Sequence, residues 1–140
     1  MSANRGEPLK PLARVASGGE LSRIMLAIKK IFADVDMIPT LIFDEIDIGI
    51  SGKTAASLGD KLRFIGDSHQ VICVTHLAQI AARAKHNIIV QKDFNGQNTV
   101  TKVIIPSRDE RIKEIARLLD GNTMSELNLR HAEEMLSSFE

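Results

Sequence analysis

The chain has 140 residues, with 18 Lys+Arg balanced by 18 Asp+Glu, 44% apolar and 26% charged residues, no Trp, no Tyr and five Phe. Zero net charge excludes a domain whose whole surface is a nucleic-acid footprint, and so few aromatic rings argue against a base-stacking platform. A composition this ordinary fits one globular domain burying on the order of two-thirds of its unfolded surface, in a reducing, cytoplasmic setting given the single Cys73.

Residues 1–16, with Gly6, Pro8 and Pro11, read as an extended lead-in. From Leu21 the apolar positions Leu21, Ile24, Met25, Ile28, Ile31 and Phe32 have helical spacing and predict one buried stripe. Thr40–Phe43 is a short continuous apolar run, which suits a strand covered on both faces, as in a parallel sheet. Residues 51–66 read as a helix through Ala55, Leu58, Leu62 and Ile65. Val71–Val74 is a second such run, and a short helix follows over 77–84. Segments 87–94 and 99–105, joined at Asn95-Gly96, predict a hairpin. Helices over 108–119 and 124–138, broken at Gly121, close the chain. No apolar run reaches the ~20 residues of a membrane span, and no charged-then-apolar leader opens the chain.

Strand, helix, strand predicts adjacent parallel strands, and ligands of such sheets sit outside the carboxyl ends of the strands. The first strand ends in Asp44-Glu45, and two carboxylates there need a reason. One could hold Mg²⁺ while the other polarises a water; the plainer alternative is a turn or helix cap. The second strand ends in Thr75-His76, so His76 is expected on the same edge, either touching a phosphate or as an ordinary hydrogen-bonded loop residue. Ser17-Gly18-Gly19-Glu20 opens a helix. Ser17 and Glu20 make an S-x-x-E capping box with no function required, but two glycines weaken a first helical turn and invite close approach of an anion. Gly49–Thr54 imitates the end of a phosphate-binding P-loop, but the pattern needs glycine at position 47, which is Asp47. A tight loop with Lys53 exposed at a helix start is expected instead. His69, His86, His131 and Cys73 show no metal-ligand spacing, and Cys73 is expected to be a buried small apolar residue.

Together these segments resemble the motifs of SMC-like ABC ATPases. SGGELSR (17–23) resembles the signature motif, LIFDE (41–45) Walker B, DIGISG (47–52) the D-loop, and Thr75-His76-Leu77 the switch-histidine loop. The longer strings SGGELSRIMLAIK, IFDEIDIGISGKTA and QVICVTHLAQIAA are closest to the branch that acts in bacterial DNA repair. The resemblance implies an α/β fold: the C-terminal lobe of an ABC/SMC-type P-loop NTPase head, with a mostly parallel sheet, flanking helices and a C-terminal helical pair. Residues 17–140 would be that lobe, and 1–16 the stretch following coiled-coil arms, with the P-loop lobe elsewhere.

The resemblance also implies roles. Asp44 would bind Mg²⁺, Glu45 would be the general base, and His76 would contact the γ-phosphate. Ser17, Gly18, Gly19 and Glu20 would reach the ATP of a second head, with Asp47 and Ser51 in the D-loop. Ser51 departs from the aspartate that many ABC proteins carry there. The implied partners are the P-loop lobe, a second head in a homodimer and DNA, with no membrane. The implied activity is ATP hydrolysis by the full-length protein in double-strand-break repair and recombination, in the cytoplasm at the nucleoid, and none by these residues alone. Two rivals remain at the level of residues: a head lobe of another SMC-like or ABC ATPase, and a non-enzymatic binding module. An isolated lobe of this kind is also expected to expose apolar surface and self-associate.

Overall fold

The computed structural model describes residues 16–32, 38–94, 96, 98–121 and 125–139. The extended lead-in over 1–15, Asn95 of the hairpin turn and Met124 at the start of the last helix lie outside the described residues. The element order is α1 (Gly18–Phe32), β1 (Thr40–Phe43), α2 (Gly52–Ile65), β2 (Gln70–Cys73), α3 (Ala78–Ala81), β3 (Ile89–Phe94), β4 (Thr99–Ile104), α4 (Arg108–Asp120) and α5 (Glu126–Ser137). The chain divides into two compact units, Met1–Thr75 and His76–Glu140. No described helix is long and apolar enough to cross a membrane.

In the first unit β1 and β2 pair in parallel, from Thr40 opposite Gln70 to Phe43 opposite Cys73. Backbone bonds extend the pairing at both ends, from the Gln70 N–H to the Pro39 carbonyl at 2.8 Å and from the Val74 N–H to the Phe43 carbonyl at 2.9 Å. The two strands therefore finish level, as the strand–helix–strand order predicts. In α2 all four expected positions, Ala55, Leu58, Leu62 and Ile65, are buried. The strands alternate in burial: Leu41 and Phe43 are buried, whereas Ile42 is 71% exposed, and Ile72 and Val74 are open as well. The expectation of cover on both faces thus holds for one face among the described residues.

Helix α1 forms where the spacing places it, but its inward face is not the expected stripe. Met25, Ile28, Ile31 and Phe32 are exposed, and the buried residues are Gly19 and Leu26. Gly19, Ser22, Arg23 and Leu26 lie at i, i+3, i+4 and i+7, one helical face. That face carries hydrogen-bond donors because it meets backbone carbonyls, as the next subsection describes. Leu21 and Met25 instead flank a shallow groove beside Ile42 of β1.

In the second unit β3 and β4 form an antiparallel hairpin, from Ile89 opposite Ile104 to Phe94 opposite Thr99. It makes a two-stranded sheet of its own, so the described strands comprise one parallel and one antiparallel pair rather than one mostly parallel sheet. The core of this unit is helical: Ala78, Ala81, Ala82, Ile115, Ala116, Ala132 and Leu136 are buried together. Alanines on three helices permit close approach, and the larger Ile115 and Leu136 fill the remaining volume. Gly121, at φ 69°, ends α4 where the break between the two last helices is predicted.

Candidate functional site

Strand β1 ends in a strained turn. Asp44 Oδ1 accepts the Glu45 N–H at 2.9 Å, and Glu45 has φ 57°, the one described non-glycine residue in the left-handed region. Such a backbone costs on the order of 1–3 kcal/mol and persists only where its surroundings over-determine it. The Ile48 N–H closes the turn onto the Glu45 carbonyl at 3.1 Å. Both carboxylates, Asp44 and Glu45, are exposed at the carboxyl end of the strand.

The start of α1 supplies the surroundings. Ser17 and Glu20 form the capping box: the Ser17 N–H donates to Glu20 Oε2 at 2.8 Å, and the Glu20 N–H donates to Ser17 Oγ at 3.4 Å. Ser17 Oγ also donates to Glu20 Oε2 at 3.1 Å, and the donations from the Ser17 backbone, then its hydroxyl, hold the Glu20 carboxyl below its usual range. The box leaves the glycines unexplained, and the Glu45 turn explains them. A Cβ on Gly19 would stand 2.6 Å from the Glu45 carbonyl oxygen, and one on Gly18 would stand 2.9 Å from Glu45 Oε2. Whatever else the glycines do, they let this helix lie against this turn.

Two side chains of the same helix face complete the contact. Ser22 Oγ donates to the Asp44 carbonyl at 3.2 Å. Arg23 Nη1, which carries two N–H groups, donates to the carbonyls of Ile46 and Ile48, each at 2.9 Å. Sequence reasoning places Arg23 at the end of the SGGELSR segment and gives it no role of its own. The available signal is its position four residues after Gly19, on the face the glycine opens.

Asp47 is 3% exposed, the buried charged residue of the loop. Thr75 Oγ1 donates to its Oδ2 at 2.7 Å, tying the loop after β1 to the end of β2. The carboxylate implied for nucleotide contact therefore has a partner within the chain. Ser51 lies at the other end of the loop, exposed, in extended backbone at the start of α2, where its carbonyl accepts the Thr54 and Ala55 N–H groups. Lys53 is exposed in the first turn of α2, and the buried Asp47 holds the place where a P-loop has its first glycine. His76 is exposed and opens the second unit. Cys73 is half-buried rather than fully buried, and burial, then the charges of Asp47 and Asp44, push its thiol up to about 12, which makes it unreactive.

The structure thus brings Gly18 and Gly19 against Glu45, with Ser22 and Arg23 bonded to the carbonyls of Asp44, Ile46 and Ile48 and with Asp47 tied to Thr75. Among the described residues no group of three or more His, Cys, Asp or Glu could hold a metal ion. An all-protein cage is therefore not what these residues offer. An exposed carboxylate such as Asp44 suits an ion that keeps most of its waters and is shared with a phosphate, the habit of Mg²⁺.

Against known proteins, the chain is 48% identical over 136 residues to DNA repair protein RecN of Treponema pallidum, a match covering 97% of this chain and 24% of that protein. It is 51% identical over 137 residues to RecN of Deinococcus radiodurans and 44% identical over 136 residues to RecN of Bacillus subtilis, at the same coverage. Over nearly its whole length the chain is similar to RecN proteins. It spans about a quarter of the length of the curated relatives it matches and corresponds to the C-terminal portion of RecN. No family model matches. Among solved structures, the chain is similar to one from work on ATP-driven dimerization and DNA-stimulated activation of SMC ATPases, with TM-score 0.54, 21% identity, and coverage of 84% of this chain and 70% of that one. That likeness shows the fold alone, an α/β architecture.

Proposed function

We propose that this RecN-like chain is the C-terminal lobe of an ATP-hydrolysing, SMC-like head that works in DNA double-strand-break repair. One observation carries the reading: Asp44 and Glu45 stand exposed at the carboxyl end of a parallel strand, on a left-handed turn that the glycines of α1 are shaped to receive. A structure that keeps such strain beside two carboxylates is arranged for chemistry rather than for stability alone.

In this reading Glu45 accepts a proton from the water that attacks the γ-phosphorus of ATP, and the bond to the β–γ bridging oxygen breaks to give ADP and phosphate. Asp44 would hold Mg²⁺, which would supply neutralisation of charge on the phosphate oxygens. His76 contacts the γ-phosphate. Ser17, Gly18 and Gly19, at the positive end of α1, face the nucleotide of a second head, so that ATP lies between two heads of a homodimer. Glu20 fixes that helix start, Asp47 braces the loop, and Ser51 lies at the D-loop position. The P-loop comes from another lobe, and the open face of the β1–β2 pair, with Ile42, Ile72 and Val74, suits a partner of that kind. DNA is bound by the full-length protein, in the cytoplasm.

The test is reconstitution. This chain alone is expected to hydrolyse no ATP, and a separately expressed P-loop lobe is expected to restore turnover. Glu45→Gln in the restored enzyme is expected to lower turnover about a hundredfold or more while nucleotide binding persists. Restored turnover indifferent to Glu45→Gln overturns the general-base role. Turnover by the chain alone that Lys53→Ala abolishes overturns the lobe reading.

A further inference from the structure

We infer that Arg23 is a positioning residue for Glu45: its guanidinium holds the turn after β1 in the one backbone shape that presents the Glu45 carboxylate. The inference rests on the reading of Glu45 as general base and deepens it.

The backbone after Glu45 is where the shape of the turn is set. Glu45 has no glycine's freedom, yet its φ of 57° is left-handed. Its own hydrogen bonds, from its N–H to Asp44 Oδ1 and from the Ile48 N–H to its carbonyl, are local and would survive a rotation of the whole turn. From outside, Ser22 Oγ holds the Asp44 carbonyl before Glu45 and Thr75 Oγ1 holds the Asp47 side chain, while Arg23 holds the backbone after Glu45. One nitrogen donates to two carbonyls two residues apart, Ile46 and Ile48, both at 2.9 Å, and so fixes the orientation of both peptide groups at once. Gly19 sets the distance, since the Glu45 carbonyl would stand 2.6 Å from a Cβ there and Arg23 Nη1 lies 3.2 Å from the same point. An ammonium on a shorter stem would have to reach both carbonyls from a different position, without the planar geometry of Nη1. Without it, the strained Glu45 backbone is free to relax into the ordinary right-handed or extended regions, which carries the carboxylate away from its place.

The experiment uses full-length RecN carrying this sequence, with steady-state ATP hydrolysis as the readout. Arg23→Ala is expected to lower kcat about a hundredfold, the usual consequence of an ångström-scale misplacement, and to leave KM for ATP within about twofold. Ethylguanidinium added to Arg23→Ala is expected to restore part of kcat. In a Glu45→Gln background, Arg23→Ala is expected to add no further loss, because both act on one group. A folded Arg23→Ala protein with unchanged kcat overturns the inference, as does a loss that multiplies that of Glu45→Gln. If Arg23→Ala does not fold, Arg23→Lys decides: lowered kcat at unchanged KM supports the inference, and wild-type kcat overturns it. Collapse of both variants assigns Arg23 to the fold alone and also overturns it. The two readings fail separately. Wild-type turnover in Glu45→Gln removes the general base, whereas loss in Glu45→Gln with none in the Arg23 variants removes only the positioning role.

Discussion

Helices α1 and α4 begin with the same device. In α1 the Ser17 N–H reaches Glu20 Oε2 at 2.8 Å and the Glu20 N–H reaches Ser17 Oγ at 3.4 Å; in α4 Ser107 and Glu110 repeat both bonds at the same two distances. The residues between differ. They are Gly18-Gly19 in α1 and Arg108-Asp109 in α4. Asp109 adds negative charge near the positive end of the dipole, and neither Arg108 nor Asp109 carries a glycine's cost in helix propensity. Two glycines are poor at a helix start, costing about 1 kcal/mol each in helix propensity. The α4 start is built for the helix. The α1 start gives up local stability so that a strained turn can lie against it. Capping is the same local chemistry in both, and the departure from it marks where a second segment presses in.

The sharpest way to break this comparison is to place alanine at the second helical position of each helix. Gly19→Ala is expected to lower stability by about 2–3 kcal/mol, because the methyl would stand 2.6 Å from a backbone carbonyl that Arg23 and Ser22 help hold in place. Asp109→Ala, with no such neighbour, is expected to change it by less than about 1 kcal/mol. Urea unfolding of each variant checks both values, and equal costs would show that the Glu45 contact does not constrain Gly19.

The reciprocal exchange is next in size. Placing the glycine pair in α4, as Arg108→Gly with Asp109→Gly, is expected to cost about 2 kcal/mol from propensity alone. Removing the capping hydroxyls comes third. Ser17→Ala and Ser107→Ala are each expected to cost about 1 kcal/mol, similar in the two helices because the bonds are similar. A much larger loss at Ser17 would mean that the cap also carries the contact with Glu45.

The smallest expected effect is in acid. The donations from Ser17 to Glu20 and from Ser107 to Glu110 hold both carboxyls below their ordinary value of 4.5. A lowered folded pKa means that the contribution is complete above that value and is lost as pH falls through the lowered one. Both side chains are solvent-exposed, so only the direction matters: unfolding should become slightly easier below about pH 4.5. NMR titration of the two carboxyls is expected to give values below the ordinary one, with Ser17→Ala raising Glu20 and leaving Glu110 alone.

Legibility in the sequence follows the same division. The four apolar positions of α2 point one way and are buried as spaced, because an amphipathic helix on a sheet needs no information beyond its own period. The parallel pairing of β1 with β2 follows from two apolar runs separated by a helix. Helix α1 is read as a helix correctly but rotated, since Ser22 and Arg23 face inward while Met25 and Ile28 do not. Hydrophobic phase misleads there because the surface being met is a row of carbonyls, which requires donors. In the site, Asp44 and Glu45 are legible as carboxylates ending a buried strand. The left-handed backbone of Glu45 and the burial of Asp47 against Thr75, 28 residues away, are not. Neither leaves a mark in composition or spacing.

The sequence by itself determined the elements, the caps and the family of motifs, because each depends on residues within about one helical turn or one strand of one another. Tertiary structure alone decided why the first turn of α1 carries two glycines and what Arg23 holds. A pair of glycines states that something comes close, but not what, since the absence of a side chain has no direction. Only the folded chain brings the carbonyl of Glu45 to that gap, and with it the reason that a helix start so costly in propensity is kept.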